Sequence, residues 1–260
     1  MAQDLFRLDG KTAFVSGSRG HLGRAMTLAL ARAGAHVFAN GRDAAALDAF
    51  VRDLRSDGLS VDAACFDAHD VQEIRAFFGA LKRLDVLVNN IGLMQAKSFG
   101  TVQKEDFTAT YAATVGTAFE SIRAALPALK AAVAATGDAS VINVSSMYGQ
   151  VAPDRCLYDN PAQQSPFHYG PAKAGLDQLT RHLAAELGPE KIRVNALVPG
   201  PFPKAGKMPP GLEERLAGRT MLGRIGQPEE IGGPLLFLAA PASRFVTGTS
   251  LNVDGGWTAW

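Results

Sequence analysis

The chain has 260 residues, 47% of them hydrophobic, and a formal net charge of +1. This is enough for one large core in an undivided α/β domain. Near-neutrality gives no basis for a nucleic-acid partner or a charged membrane surface, and no run of roughly 18 apolar residues is available to span a bilayer. Cys65 and Cys156 stand apart from any histidine cluster, so no metal site is expected. With no basic-then-apolar leader at Met1-Ala2-Gln3-Asp4, they point to a reducing, cytoplasmic setting.

Thr12 to Ser16 reads as a short apolar strand, followed by Gly17-Ser18-Arg19-Gly20-His21-Leu22-Gly23 and an Ala/Leu-rich helical pattern from Arg24 to Arg32. Strand, glycine-rich turn and helix in that order make a phosphate cradle, because the backbone comes close to the ligand and the helix start offers unpaired N–H groups. The same pattern also fits a tight turn that binds nothing. A second strand, Ala35 to Ala39, ends at Asn40-Gly41-Arg42-Asp43. A dinucleotide without a 2′-phosphate is commonly met at such a strand end by a carboxylate, whereas a 2′-phosphate needs room and positive charge. Gly41 and Arg42, with Arg19 in the turn, favour NADP(H) over NAD, while Asp43 is placed to cap the next helix. Arg42 as a solvated loop charge is the competing account.

Further along, Leu59 to Phe66 reads as strand, Val71 to Leu81 as helix, Asp85 to Asn89 as strand and Lys104 to Ala134 as one long helix. Ser140 to Ser145 is a strand, His168 to Leu187 a helix, Ile192 to Leu197 a strand, Glu229 to Ala239 a helix and Ser250 to Val253 a last strand. The alternation predicts a doubly wound parallel sheet with helices on both faces and ligands beyond the carboxyl ends of the strands. The Pro-rich stretch from Pro199 to Pro210 marks a mobile loop, taken as about 200–220.

Tyr169 and Lys173 stand one helical turn apart and share a face. Bringing a tyrosine from pH ~10 to about 7 takes roughly 4 kcal/mol, which one cation at ~4 Å supplies at an effective dielectric of about 20. Such a phenol exchanges protons with an alcohol or carbonyl near neutral pH. Ser145-Ser146 and Asn89-Asn90 read on their own as strand ends and turn formers.

Taken together, these motifs resemble the classical short-chain dehydrogenase/reductase family nearly end to end. They comprise Gly17 to Gly23, Asp67, Asn89-Asn90-Ile91-Gly92, Asn143-Val144-Ser145-Ser146, Tyr169 with Lys173, Asn195 to Gly200, and Val253-Asp254-Gly255-Gly256. The resemblance implies a single Rossmann-type domain, Tyr169 as acid/base, Lys173 lowering its pKa and holding the nicotinamide ribose, and Ser146 orienting the substrate oxygen. It implies cofactor contacts from Gly17, Ser18, Arg19, His21, Leu22, Gly41 and Arg42 on the phosphate and adenosine side. Asp67 and Ala68 would meet the adenine, Asn90, Ile91 and Gly92 the adenosine ribose, and Pro199, Gly200 and Phe202 the nicotinamide side.

Three features depart from the family pattern. His21 replaces the middle glycine of the turn, its side chain expected to face solvent. Ala112-Ala113-Thr114-Val115-Gly116 lacks the helix asparagine that keeps a water beside the lysine in the family, leaving Thr114 as a substitute. The segment between Ser146 and Tyr169 is enlarged, by an insertion at about 147–167, and carries Tyr148, Asp154, Arg155, Tyr158, Asp159, Asn160, Gln163, Gln164 and His168. Its donors and acceptors suit a sugar, sugar acid or polyol, with Arg155, Lys204 and Lys207 available to an acid group; a surface insertion or subunit contact is the alternative. The chain is similar in this to members of the gluconate 5-dehydrogenase type. A 3-ketoacyl-type reductase and a non-catalytic dinucleotide-binding regulator remain as other readings. The aromatic ending Gly256 to Trp260 and family habit lead us to expect a homotetramer.

Overall fold

The computed structural model describes residues 4–93, 95, 97–160, 164–204, 206 and 208–260. Of the residues named above, Met1, Ala2, Gln3, Gln163 and Lys207 lie outside that set.

Seven strands form one parallel sheet in the order β3-β2-β1-β4-β5-β6-β7. They are β1 (Thr12–Val15), β2 (His36–Gly41), β3 (Val61–Cys65), β4 (Val86–Asn89), β5 (Ala139–Val144), β6 (Ile192–Pro199) and β7 (Ser250–Val253). Pairing directly follows the apolar pattern: Val15 lies opposite Val88 and Ala39, and Val144 opposite Leu197. β4, β5 and β6 are buried on both faces, which is why they are mostly apolar, and such polar members as Ser140, Asn143, Arg193 and Asn195 are buried with hydrogen-bond partners.

Alternate strand residues feed two cores. Ala13, Val15, Val86 and Val88 pack beneath α1 (His21–Arg32), α2 (Ala44–Ser56) and α8 (Gly232–Ala239). Phe14 and Leu87 point the other way, beneath α3 (Val71–Ala80), α5 (Thr117–Thr136) and α6 (Tyr169–Leu187). There Phe14 contacts Phe77 and Phe78 with ring centres 5.4 and 4.9 Å away. The Asp43 side chain accepts the Ala46 N–H and caps α2, as its position in the sequence suggests.

Two expectations change. The long helix from Lys104 is broken: α4 (Lys104–Tyr111) passes into a π-helical turn, Ala112–Gly116, before α5 begins. The segment expected as a mobile loop carries a helix, α7 (Leu212–Arg219), whose Leu212 and Leu216 are buried against Leu157 and Trp257. Trp257 is therefore covered by its own chain and gives no support to a subunit contact, whereas Trp260 is exposed.

At the switch point, β1 is flanked by β2 on one side and β4 on the other, so their following chains diverge and leave a crevice at the carboxyl edge. The loops after β1, β2, β4, β5 and β6 all end there.

Candidate active site

The β1–α1 turn is shaped by contacts that only glycine permits. Gly17 has φ +62°, and a Cβ on Gly23 would sit 2.1 Å from the Gly17 carbonyl oxygen. Helix α1 has no side-chain cap and no acidic residue in its first turn, so its leading N–H groups and dipole face the crevice without a partner of their own. That is the donor set a pyrophosphate requires. Ser18 takes another role: it is fully buried, its hydroxyl donating to the Val15 carbonyl oxygen at 2.7 Å and accepting the Asn40 N–H at 3.1 Å. Its side chain ties the turn to β2 instead of facing a ligand. His21 also differs from expectation, with Nε2 enclosed and without a hydrogen-bond partner among the described residues.

Beyond β2, Gly41 pairs with Cys65, and Arg42 extends into solvent with Nη1 3.5 Å from Asp67 Oδ2. Arg19 Nη1 is 3.9 Å from Asp43 Oδ2. Asp67 also accepts the His69 N–H at 3.0 Å, and Ala68 is buried beside it. After β4, Asn90 secures the turn, its backbone N–H donating to Ser16 Oγ at 2.8 Å and its side-chain amide to the Ser16 carbonyl at 3.0 Å. Ile91 borders Gly17, while Gly92 lies against Lys173: a Cβ there would be 3.5 Å from Lys173 Nζ and 3.7 Å from Thr114 Oγ1.

The candidate reacting groups come from two elements. Ser146 follows β5 and Tyr169 opens α6, and the Ser146 hydroxyl acts on the Tyr169 phenol. Lys173, one turn on, is buried; its Nζ donates to the Val144 carbonyl oxygen at 2.7 Å and lies 5.6 Å from the centre of the Tyr169 ring. Burial pushes the ammonium down to about 8, with Asp177 acting against it. Burial also raises the Tyr169 phenol above its ordinary value, opposed by the Ser146 hydroxyl. The sequence predicts that the lysine makes this phenol acidic; in the structure desolvation dominates and the phenol is raised instead.

Sequence reasoning missed the parts that hold this group in place. A Cβ on Gly170 would be 2.6 Å from the Tyr148 carbonyl oxygen, and one on Gly149 would be 2.9 Å from the Lys173 carbonyl carbon. These two glycines let the short turn Met147–Gly149 press onto the first turn of α6 and bring Ser146 to Tyr169. Behind them, Asn89 donates to Asn143 and Asn143 to Thr180, each at 2.9 Å, locking β4, β5 and α6 together. On the nicotinamide side, Gly200 is required by its neighbour, since a Cβ would meet Asp254 Cα at 2.5 Å. Pro199 ends β6, while Phe202 lies over Gly226 and packs with the core. Phe202 thus supports the loop.

A family model described as enoyl-(acyl carrier protein) reductase matches residues 18–258. The chain belongs to the short-chain dehydrogenase/reductase family. It is 32% identical to the 3-oxoacyl-(acyl-carrier-protein) reductase FabG of Thermotoga maritima, over 96% of this chain and 98% of that one. It is 33% identical to the galactitol 2-dehydrogenase (L-tagatose-forming) of Cereibacter sphaeroides, over 98% of each. Among solved structures, a gluconate 5-dehydrogenase from Burkholderia cenocepacia, in complex with NADP and tartrate, superposes with a TM-score of 0.88 at 30% identity over the full length of both chains. Oxidoreduction at a CH–OH group is the activity class common to such family members, and this chain shares it.

Outside the catalytic group, a cavity of about 870 Å³ is bordered by Tyr148, Gly149 and Gly170, with Phe99, Phe167 and Arg155 further out. Gln164 borders it too, and Lys204 is exposed. Among the described residues no group of three or more metal-ligating side chains exists, and no helix is long and apolar enough to cross a membrane.

Proposed function

We propose that this protein is an NADP(H)-dependent oxidoreductase that interconverts a secondary alcohol and a ketone on a hydroxylated small molecule, a sugar, sugar acid or polyol. The observation that carries this is the buried Lys173 amine, held by the Val144 carbonyl oxygen one helical turn from Tyr169 and 5.6 Å from its ring, with the turn after Ser146 pressed onto the same helix start. The crevice fits a dinucleotide: Gly17, Gly23 and the uncapped α1 start would hold the pyrophosphate, Arg42 and Arg19 a 2′-phosphate, and Asp67 and Ala68 the adenine edge. When bound, the dinucleotide supplies or takes the hydride.

Tyr169 moves the proton. In reduction its phenol, kept protonated by burial, donates to the oxygen that gains negative charge; in oxidation the phenolate accepts the alcohol proton. Ser146 donates its single O–H to the same oxygen, which holds the substrate carbonyl in line with Tyr169. Lys173, anchored by the Val144 carbonyl, adds positive charge behind the phenol while it remains protonated. Thr114, whose buried hydroxyl has no partner among the described residues and borders the same Gly92 surface as Lys173, supports a water at that point.

The polar side chains of 147–160 favour a hydroxylated substrate. The apolar walls of the neighbouring cavity, Phe99 and Phe167 with ring centres 5.0 Å apart, favour the second reading, a 3-ketoacyl-type reductase. A panel of keto-sugars, keto-acids, β-ketoacyl thioesters and plain ketones, each with NADPH and NADH, separates the two. The first reading expects kcat/KM to be highest for keto-sugars or keto-acids with NADPH, and preference for plain ketones or thioesters overturns it. We also infer a cytoplasmic homotetramer, to be checked by light scattering; a monomer at micromolar concentration would count against the assembly.

A further inference from the structure

Tyr148 stands two residues beyond Ser146, and its backbone N–H donates to Ser146 Oγ at 3.2 Å. Its phenol oxygen is 2.8 Å from that of Tyr158, ten residues further on. Two phenols carry two protons and a single mutual bond uses one of them. Neither hydroxyl makes another hydrogen bond among the described residues, so one O–H of the pair is left to donate elsewhere.

The pair is fixed from both sides. The Tyr148 ring meets Trp257 edge-on, at 6.4 Å between centres. Arg215 of α7 grips the residues flanking Tyr158, with Nε donating to the Leu157 carbonyl oxygen at 2.7 Å and Nη2 bonding Asp159 Oδ2 at 2.8 Å. A surface insertion without a task would not need both of its neighbouring positions held by one guanidinium. Burial raises both phenols, so each remains a neutral donor across the working pH range. Tyr148 lies against the residue that follows Tyr169, since a Cβ on Gly170 would be 2.6 Å from the Tyr148 carbonyl oxygen and 3.8 Å from its Cβ, which brings the pair to the start of α6 beside the reacting group.

We propose that the Tyr148–Tyr158 pair reads a second oxygen of the substrate, its free O–H donating to a hydroxyl or carbonyl oxygen on the carbon chain next to the reacting centre. The proposal rests on the assignment of Tyr169 as the acid/base and makes the pair a selector for substrates with adjacent oxygens. A ketone without the second oxygen leaves the buried O–H unpaired and forfeits the bond.

The test compares acetoin with 2-butanone as NADPH-dependent substrates of the wild type, Tyr158→Phe and Tyr148→Phe, with thermal midpoints measured for all three. The wild type should prefer acetoin. Both variants should lose about tenfold to a hundredfold in kcat/KM for acetoin, one through loss of the donor and the other through loss of the partner that aims it, stay within about twofold for 2-butanone, and melt within a few degrees of the wild type, the loss expected of one hydrogen bond. Equal losses on both ketones, or none on either, would overturn the selector role while leaving Tyr169 as the acid/base. If neither ketone is turned over, the functional reading is what suffers, and calorimetry with tartrate then decides on the pair. Weaker binding by both variants supports it; affinity equal to wild type overturns it.

Discussion

Lys173 Nζ sits 5.6 Å from the centre of the Tyr169 ring while donating to the Val144 carbonyl oxygen at 2.7 Å. The ammonium therefore faces the phenol across its ring and is anchored by backbone, with its position set by β5. Its pKa, pushed down to about 8 by burial, has consequences for pH.

Reduction should need the lysine protonated, so kcat/KM in that direction falls as pH rises through about 8. Stability runs the other way. The folded amine releases its proton near 8, the unfolded one near 10.5, so between these values the unfolded chain holds more protons and folding gains with rising pH. Thermal midpoints of wild type and Lys173→Met, measured across that window, should diverge in favour of the wild type as pH increases. Parallel curves would mean the amine is not buried as described.

Tyr169→Phe removes the proton donor and leaves the ring. Turnover should drop by about 10² to 10⁴, the range that general acid–base catalysis contributes, while NADPH binding followed by fluorescence stays within about twofold. A variant retaining wild-type activity would exclude the mechanism.

Thr114→Val tests the π-helical turn. The Thr114 hydroxyl is buried and borders the same Gly92 surface as Lys173, and Val replaces it at nearly constant volume. Turnover should fall, with a larger solvent isotope effect, if that hydroxyl holds the water serving Lys173. A fully active variant with an unchanged isotope effect would leave Thr114 without a part in proton transfer.

The sheet was legible because its strands are short, mostly apolar runs ending at turn residues, and the meeting of Tyr169 with Lys173 because the two share a helix face whatever the wider packing. Side-chain direction in the turn was not. Ser18 belongs to the glycine motif by position, yet the chain's path after Gly17 turns its hydroxyl under β2 to Asn40. The helix α7 was hidden by its composition: only Leu212 and Leu216 are buried in a run of charged residues following several prolines. The π-helical turn was equally hidden, since Ala112 to Val115 contains no helix breaker. It lies where α4 and α5 close onto Gly175, whose missing Cβ would meet Tyr111 at 2.9 Å and Val115 at 3.3 Å. Such close approach is a property of two helices together, beyond what either sequence shows alone.

Arg42→Ala separates the two nicotinamide cofactors. The guanidinium is largely exposed and its carboxylate neighbour, Asp67, stands at 3.5 Å, a loose pairing that contributes little in water. A 2′-phosphate offers a dianion with several acceptor oxygens, so the guanidinium should leave Asp67 for it, and the charge-assisted bond is worth about 1.5 to 3 kcal/mol. The variant should therefore raise the KM for NADPH by about tenfold to a hundredfold. NADH brings no phosphate to this place and loses no bond with the guanidinium, so its KM should stay about level. Equal increases for both cofactors would show that Arg42 only supports the loop after β2, and the preference for NADP(H) would have to come from Arg19 alone.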